Sequence, residues 1–139
     1  MTMAAEFPIT IFHNPDCGTS RNVLAMIRAA GYEPEIIEYL QVGWTVPQLQ
    51  KLLAEINATP RDILREKGTP AKELGILDPG ANDDLILREM VAHPVLVNRP
   101  IVVTPKGVKL CRPSEVVLML LDRQPRSFTK EDGEVVVPR

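Results

Sequence analysis

The chain has 139 residues, 45% of them hydrophobic and 24% charged, with a net charge of −2. That length suits one domain with a real hydrophobic core, and that composition excludes disorder. The charge lacks the basic footprint of a nucleic-acid binder, and no apolar run approaches the roughly 18 residues of a membrane span.

The N-terminus, Met1 to Pro8, lacks the basic start and long apolar stretch of a secretory signal, so a cytoplasmic location is expected. Ile9 to Phe12 is a β-branched and aromatic run that predicts a strand. His13 to Ser20 has loop chemistry, with Asn14, Pro15, Asp16 and Gly18 close together. Helical periodicity then begins, with Val23, Leu24, Ile27 and Ala30 on one side and Gly31 as the stop. Glu35 to Tyr39 predicts a second strand, so this first stretch is a βαβ unit with parallel strands.

Thr45-Val46-Pro47-Gln48 has the form of a capping box, ahead of an apolar stripe of Leu49, Leu52, Leu53 and Ile56. Thr59 and Pro60 open another helix, expected to carry Ile63, Leu64 and Arg65. Gly68 to Asn82 is punctuated by glycine and proline and predicts only short turns. Asn82 caps a helix carrying Leu85, Ile86 and Met90, ended by Pro94. Ile101 to Thr104 and Val108 to Cys111 flank a Pro-Lys-Gly turn and predict an antiparallel hairpin. Pro113 starts a last helix with Val116, Val117, Leu120 and Leu121. From about residue 123 the chain becomes a polar tail, in which Phe128 and Val135 to Val137 are expected to dock. The 13 prolines are scattered and read as punctuation of one domain spanning residues 1–139. A βαβ half followed by a ββα half predicts an α/β, thioredoxin-like mixed sheet with an inserted helical layer.

The chemistry centres on Cys17. It stands between a strand and a helix, where unpaired backbone N–H groups and the helix dipole favour a thiolate and cradle oxyanions. Gly18 allows close approach to the backbone, Thr19 and Ser20 add hydroxyl donors, and Arg21 adds charge near the mouth. His13 can aid the thiolate electrostatically or hold the loop by hydrogen bonds. Arg65, Arg99 and Arg112 offer guanidinium forks suited to tetrahedral oxyanions; Arg99 and Arg112 each precede a proline and flank the hairpin. Cys17 and Cys111 are the only cysteines; they make a poor disulfide framework, and His13 with Cys17 supplies at most half of a zinc site, so no metal is expected. Arg21 follows Cys17 after only three intervening residues, too close for a phosphatase loop, and Ser20 stands where a Cys-x-x-Cys pair needs its second thiol.

The segment Ile9 to Asn22, with His93-Pro94, Asn98 to Pro105, Leu110 to Val117 and Phe128 to Glu134, resembles the glutaredoxin-coupled arsenate reductases of ArsC type over nearly the whole chain. The resemblance implies that Cys17 is the nucleophile, that His13 is linked to its activation, that Arg65, Arg99 and Arg112 bind the oxyanion, and that Pro100 is a cis-proline. It also implies arsenate as substrate, glutathione as co-substrate, glutaredoxin as partner and no bound cofactor. Spx-type regulators, which share the fold and bind RNA polymerase, are the non-enzymatic alternative. They typically carry a Cys-x-x-Cys or lack the Cys-Gly-Thr-Ser-Arg run, so Ser20 and the three arginines favour an enzyme. A related glutathione-dependent thiol reductase is a third reading.

Overall fold

The computed structural model describes residues 6–138; most of the N-terminal stretch read above for targeting lies outside them. The chain divides into two compact units, one built from Met1–Glu38 with Arg99–Arg139 and the other from Tyr39–Asn98. No helix among the described residues is long and apolar enough to cross a membrane.

The first unit holds β1 (Thr10–His13), α1 (Gly18–Ala29), β2 (Glu35–Glu38), β3 (Ile101–Thr104) and β4 (Gly107–Leu110). The sheet order is β2-β1-β3-β4, with β1 parallel to β2 and the other pairs antiparallel. This is the mixed sheet expected of a βαβ half joined to a β-hairpin half. Alternation along the strands separates two faces. Ile11 pairs with Val102, and both lie in a buried cluster with Val23, Met26, Ile27, Cys111, Val117 and Leu120. Val23, Met26 and Ile27 come from α1, so the predicted helical stripe is the surface that meets the sheet. Gly31 takes a φ of +95° just past the helix, which accounts for the stop there.

Three elements of this unit differ from expectation. β4 ends at Leu110, so Cys111 and Arg112 follow the strand rather than belong to it. The residue after them, Pro113, lacks the N–H a ladder needs. The segment expected as a closing α-helix is a 3₁₀ helix, Ser114–Leu120. The adjacent β-branched Val116 and Val117 weaken α-helical preference there. The tail forms a small antiparallel hairpin, β5 (Phe128–Thr129) with β6 (Val135–Val136); Phe128 and Val136 pack on the core as expected, whereas Val135 and Val137 face solvent.

The second unit is helical: α2 (Tyr39–Val42), α3 (Val46–Ile56), a 3₁₀ turn at Pro60–Ile63, α4 (Asp83–Ala92) and a second 3₁₀ turn at Pro94–Leu96. Thr45 closes a capping box with Gln48, and Asn82 Oδ1 accepts from the Leu85 N–H at 2.9 Å. The helix expected to carry Arg65 is corrected to a single 3₁₀ turn that ends at Ile63. Leu64 instead forms an antiparallel bridge with Val97, and the Arg65 N–H donates to the Leu96 carbonyl at 2.8 Å, so the backbone leaves the helix for sheet-like pairing.

Candidate active site

β1 delivers the chain into a tight loop. Asn14 Oδ1 accepts from the Asp16 N–H at 2.9 Å, and the Asn14 carbonyl accepts from the Cys17 N–H at 3.1 Å. Cys17 is then the N-cap of α1, in extended conformation, and its carbonyl accepts from the Arg21 N–H at 2.9 Å. Its thiol is buried, at 8% exposure, beside a helix start with no acidic residue in its first turn.

Two arginines of the same unit converge on the thiol. Arg112 Nη1 lies 3.8 Å from Cys17 Sγ and donates to the Arg99 carbonyl at 2.9 Å. The guanidinium is thereby pinned to the backbone just ahead of Pro100, whose peptide bond is cis as expected; Arg112-Pro113 is also cis. The Cys111 N–H donates to the Pro100 carbonyl at 2.9 Å, which fixes the segment presenting Arg112. Burial works against ionisation of Cys17. The Ser20 backbone N–H and the Arg99 and Arg112 side chains outweigh it and hold the thiol below its ordinary value.

His13 and Ser20 meet because both face the same interior surface. His13 follows Ile11 by two residues on β1, and Ser20 lies one turn ahead of Val23 on the buried side of α1. His13 Nδ1 is 2.6 Å from Ser20 Oγ, which also accepts from the Asn14 N–H at 3.1 Å. The Ser20 hydroxyl is therefore engaged inside the loop, and it is the serine's backbone N–H that stabilises the sulfur. Burial, aided by Arg28 and Arg21 against Glu38, pushes His13 below its ordinary pKa and favours a neutral ring. Gly18 and Thr19, the first residues of α1, are half-buried.

Arg65 belongs to the helical unit. Its Nη1 donates to Asn98 Oδ1 and its Nε to the Lys67 carbonyl, both at 3.2 Å. Cys111 is fully buried, and burial pushes its thiol up to about 12. Among the described residues no cluster of His, Cys, Asp or Glu could hold a metal ion. Sequence reasoning missed one connection at the site. Arg21 donates from Nε and Nη2 to Glu131 at 2.8 and 2.9 Å and from Nη1 to the Pro15 carbonyl at 2.9 Å. The signals were present separately, as a charge near the mouth and as a docking tail.

A mixed sheet with a thiol at the head of the first helix and a cis-proline ahead of β3 defines a thioredoxin-like protein. The ArsC family model matches residues 12–120, and the chain belongs to the ArsC family. It is 60% identical over 133 residues to arsenate reductase ArsI1 of Synechocystis sp., covering 95% of this chain and 92% of that protein. It is 54% identical over 130 residues to the arsenate reductase of Escherichia coli K12, covering 93% and 92%. A solved structure, the arsenate reductase from Vibrio cholerae, superposes with a TM-score of 0.78 at 35% identity, covering 83% of this chain and 98% of that one.

Proposed function

We propose that this protein reduces arsenate to arsenite, with Cys17 as nucleophile and glutathione and glutaredoxin as electron donors. The carrying observation is the Cys17 thiol at the head of α1 with Arg112 Nη1 3.8 Å away. Family membership and the names of relatives at 54% and 60% identity support the choice of arsenate over other oxyanions. A tetrahedral anion at Cys17 meets backbone donors, the helix dipole and two guanidinium groups, Arg99 and Arg112. The role of Arg65 as a third oxyanion ligand rests on the family resemblance alone.

The Cys17 thiolate attacks arsenic(V), and a protonated oxygen leaves as water. Glutathione displaces a second oxygen as water and gives a Cys17–arsenic–glutathione adduct. A glutaredoxin thiol attacks the glutathione sulfur. The arsenic–sulfur electron pair stays on arsenic, now arsenic(III), and a glutaredoxin–glutathione disulfide forms. Water then releases arsenite and restores Cys17. The net reaction consumes arsenate and two thiols and yields arsenite, one disulfide and one water. His13 orders the loop through Ser20, and Gly18 and Thr19 contribute the first helical N–H groups.

The test is arsenate-dependent NADPH oxidation with purified protein, glutathione, glutaredoxin and glutathione reductase. Turnover that requires all of these components is expected. A protein that oxidises no NADPH with arsenate overturns the reading, and turnover that persists without glutathione overturns the electron route.

A further inference from the structure

The C-terminal hairpin reaches back to the loop that presents Cys17. Its turn is closed by the Lys130 N–H on the Glu134 carbonyl at 2.8 Å and by the Gly133 N–H on the Lys130 carbonyl at 2.9 Å. Three attachments hold it. Phe128 and Val136 pack on the core. Lys130 Nζ, its side chain only 10% exposed, sits 2.7 Å from Glu115 and 2.9 Å from Glu134. Glu131 engages α1 twice, through the Arg21 fork and through its own N–H, which donates to Asn22 Oδ1 at 3.1 Å. Glu115 lies just after Arg112, and Arg21 one turn after Cys17. The hairpin thus ties together the two segments that carry the thiol and its arginine.

The same contact brings a carboxylate to the head of α1. A Cβ placed on Gly18 would stand 3.6 Å from Glu131 Oε1 and 3.7 Å from Arg21 Nη2. A bare carboxylate there opposes both a thiolate and an incoming oxyanion. The forked guanidinium cancels it while its third nitrogen holds the Pro15 carbonyl. Resting on the reading of Cys17 as an oxyanion-attacking thiolate, we propose that Arg21 and Glu131 form a charge-cancelling positioning pair. It lets the C-terminal hairpin brace the catalytic loop without repelling the anion. The charged groups acting on the thiol are Arg99 ahead of β3 and Arg112 after β4, and Arg21 on α1 is coupled in turn to the thiol, to Asp16 in the loop and to Glu131 from the hairpin.

The two members of the pair therefore differ in sign. Arg21→Ala leaves Glu131 uncompensated, so the pH midpoint of Cys17 alkylation, read in a Cys111→Ala background, rises by about half a pH unit. KM for arsenate rises about threefold, the same interaction read as affinity, with a smaller change in kcat. Glu131→Ala leaves the cation, so its midpoint stays at or below that of the parent. Arg21→Ala with Glu131→Ala returns the midpoint toward the parent value. Arg21→Gln, which keeps a donor for Pro15 but not the charge, repeats the Arg21→Ala shift if that variant folds poorly. Equal upward shifts in both single variants, or a double variant no better than Arg21→Ala, indicate a plain structural brace and overturn the proposal. An unchanged midpoint in every variant overturns it as well. Alkylation needs no arsenate, so the shifts stand or fall separately from the coupled assay.

Discussion

At Cys17 opposing effects act on one sulfur. Burial raises the thiol pKa, while the Ser20 N–H, Arg99 and Arg112 lower it, and the lowering wins. The alkylation midpoint in Cys111→Ala should therefore fall below the ordinary thiol value. A midpoint at or above that value removes the basis for a nucleophilic role. Cys17→Ser keeps the size of the side chain but offers a much weaker nucleophile at neutral pH, so arsenate reduction should drop to background while circular dichroism stays native. Arg112 donates to the Arg99 carbonyl and faces the sulfur from one planar head. Arg112→Ala should cost about tenfold to a hundredfold in kcat/KM, the range of one charged hydrogen bond. Arg112→Lys should recover only part of that loss, because an ammonium cannot reproduce the fork. Wild-type kcat/KM in Arg112→Ala contradicts the assignment.

At the scale of elements, what could be read from sequence was what is encoded locally. The boundaries of α3 and α4 follow from Thr45 and Asn82, whose side chains cap residues three positions ahead. Thr45→Ala should accordingly destabilise the protein by about 1 kcal/mol, measured by urea denaturation, because it leaves the Gln48 N–H without its side-chain acceptor. A loss below about 0.3 kcal/mol means that water replaces the hydroxyl without penalty. The loop and α1 were legible for the same reason, since Asn14, Cys17, Gly18 and the Val23–Ile27 stripe lie within a few turns of one another. What could not be read depends on distant partners. Arg65 leaves helical geometry because Leu64 pairs with Val97. The spacing of Val116, Val117 and Leu120 fits an α-helix and a 3₁₀ helix alike. Arg21 and Glu131 are 110 positions apart, and nothing in either neighbourhood announces the other.

Across the whole molecule the two thiols have opposite fates. Arg112 reaches the Cys17 sulfur, whereas its neighbour Cys111 is fully buried among Ile11, Val23 and Val117. β4 stops one residue short of Cys111, and the thiol that follows it is sealed in the core. An inert thiol in the core cannot serve as an internal electron relay, so Cys111→Ala should still turn over and still require glutathione. A Cys17–Cys111 disulfide trapped during turnover contradicts this. Cys111 also leaves a mark on global stability. Burial raises its pKa from an ordinary 9.0 to about 12, so above pH 9 the unfolded chain releases this proton and the folded chain keeps it. The stability held below the unfolded pKa is then lost as pH rises through the window from 9 to about 12. At pH 10 the loss from this one group is on the order of 1 kcal/mol relative to pH 7. Cys111→Ala lowers stability at neutral pH by opening a small cavity, but it removes this slope. Urea denaturation at pH 7 and pH 10 should therefore show the wild type losing on the order of 1 kcal/mol more than Cys111→Ala over that interval. Cys17 is present in both proteins and cancels from the comparison. Equal losses in the two mean that the Cys111 thiol ionises in the folded state and is not sealed in the core.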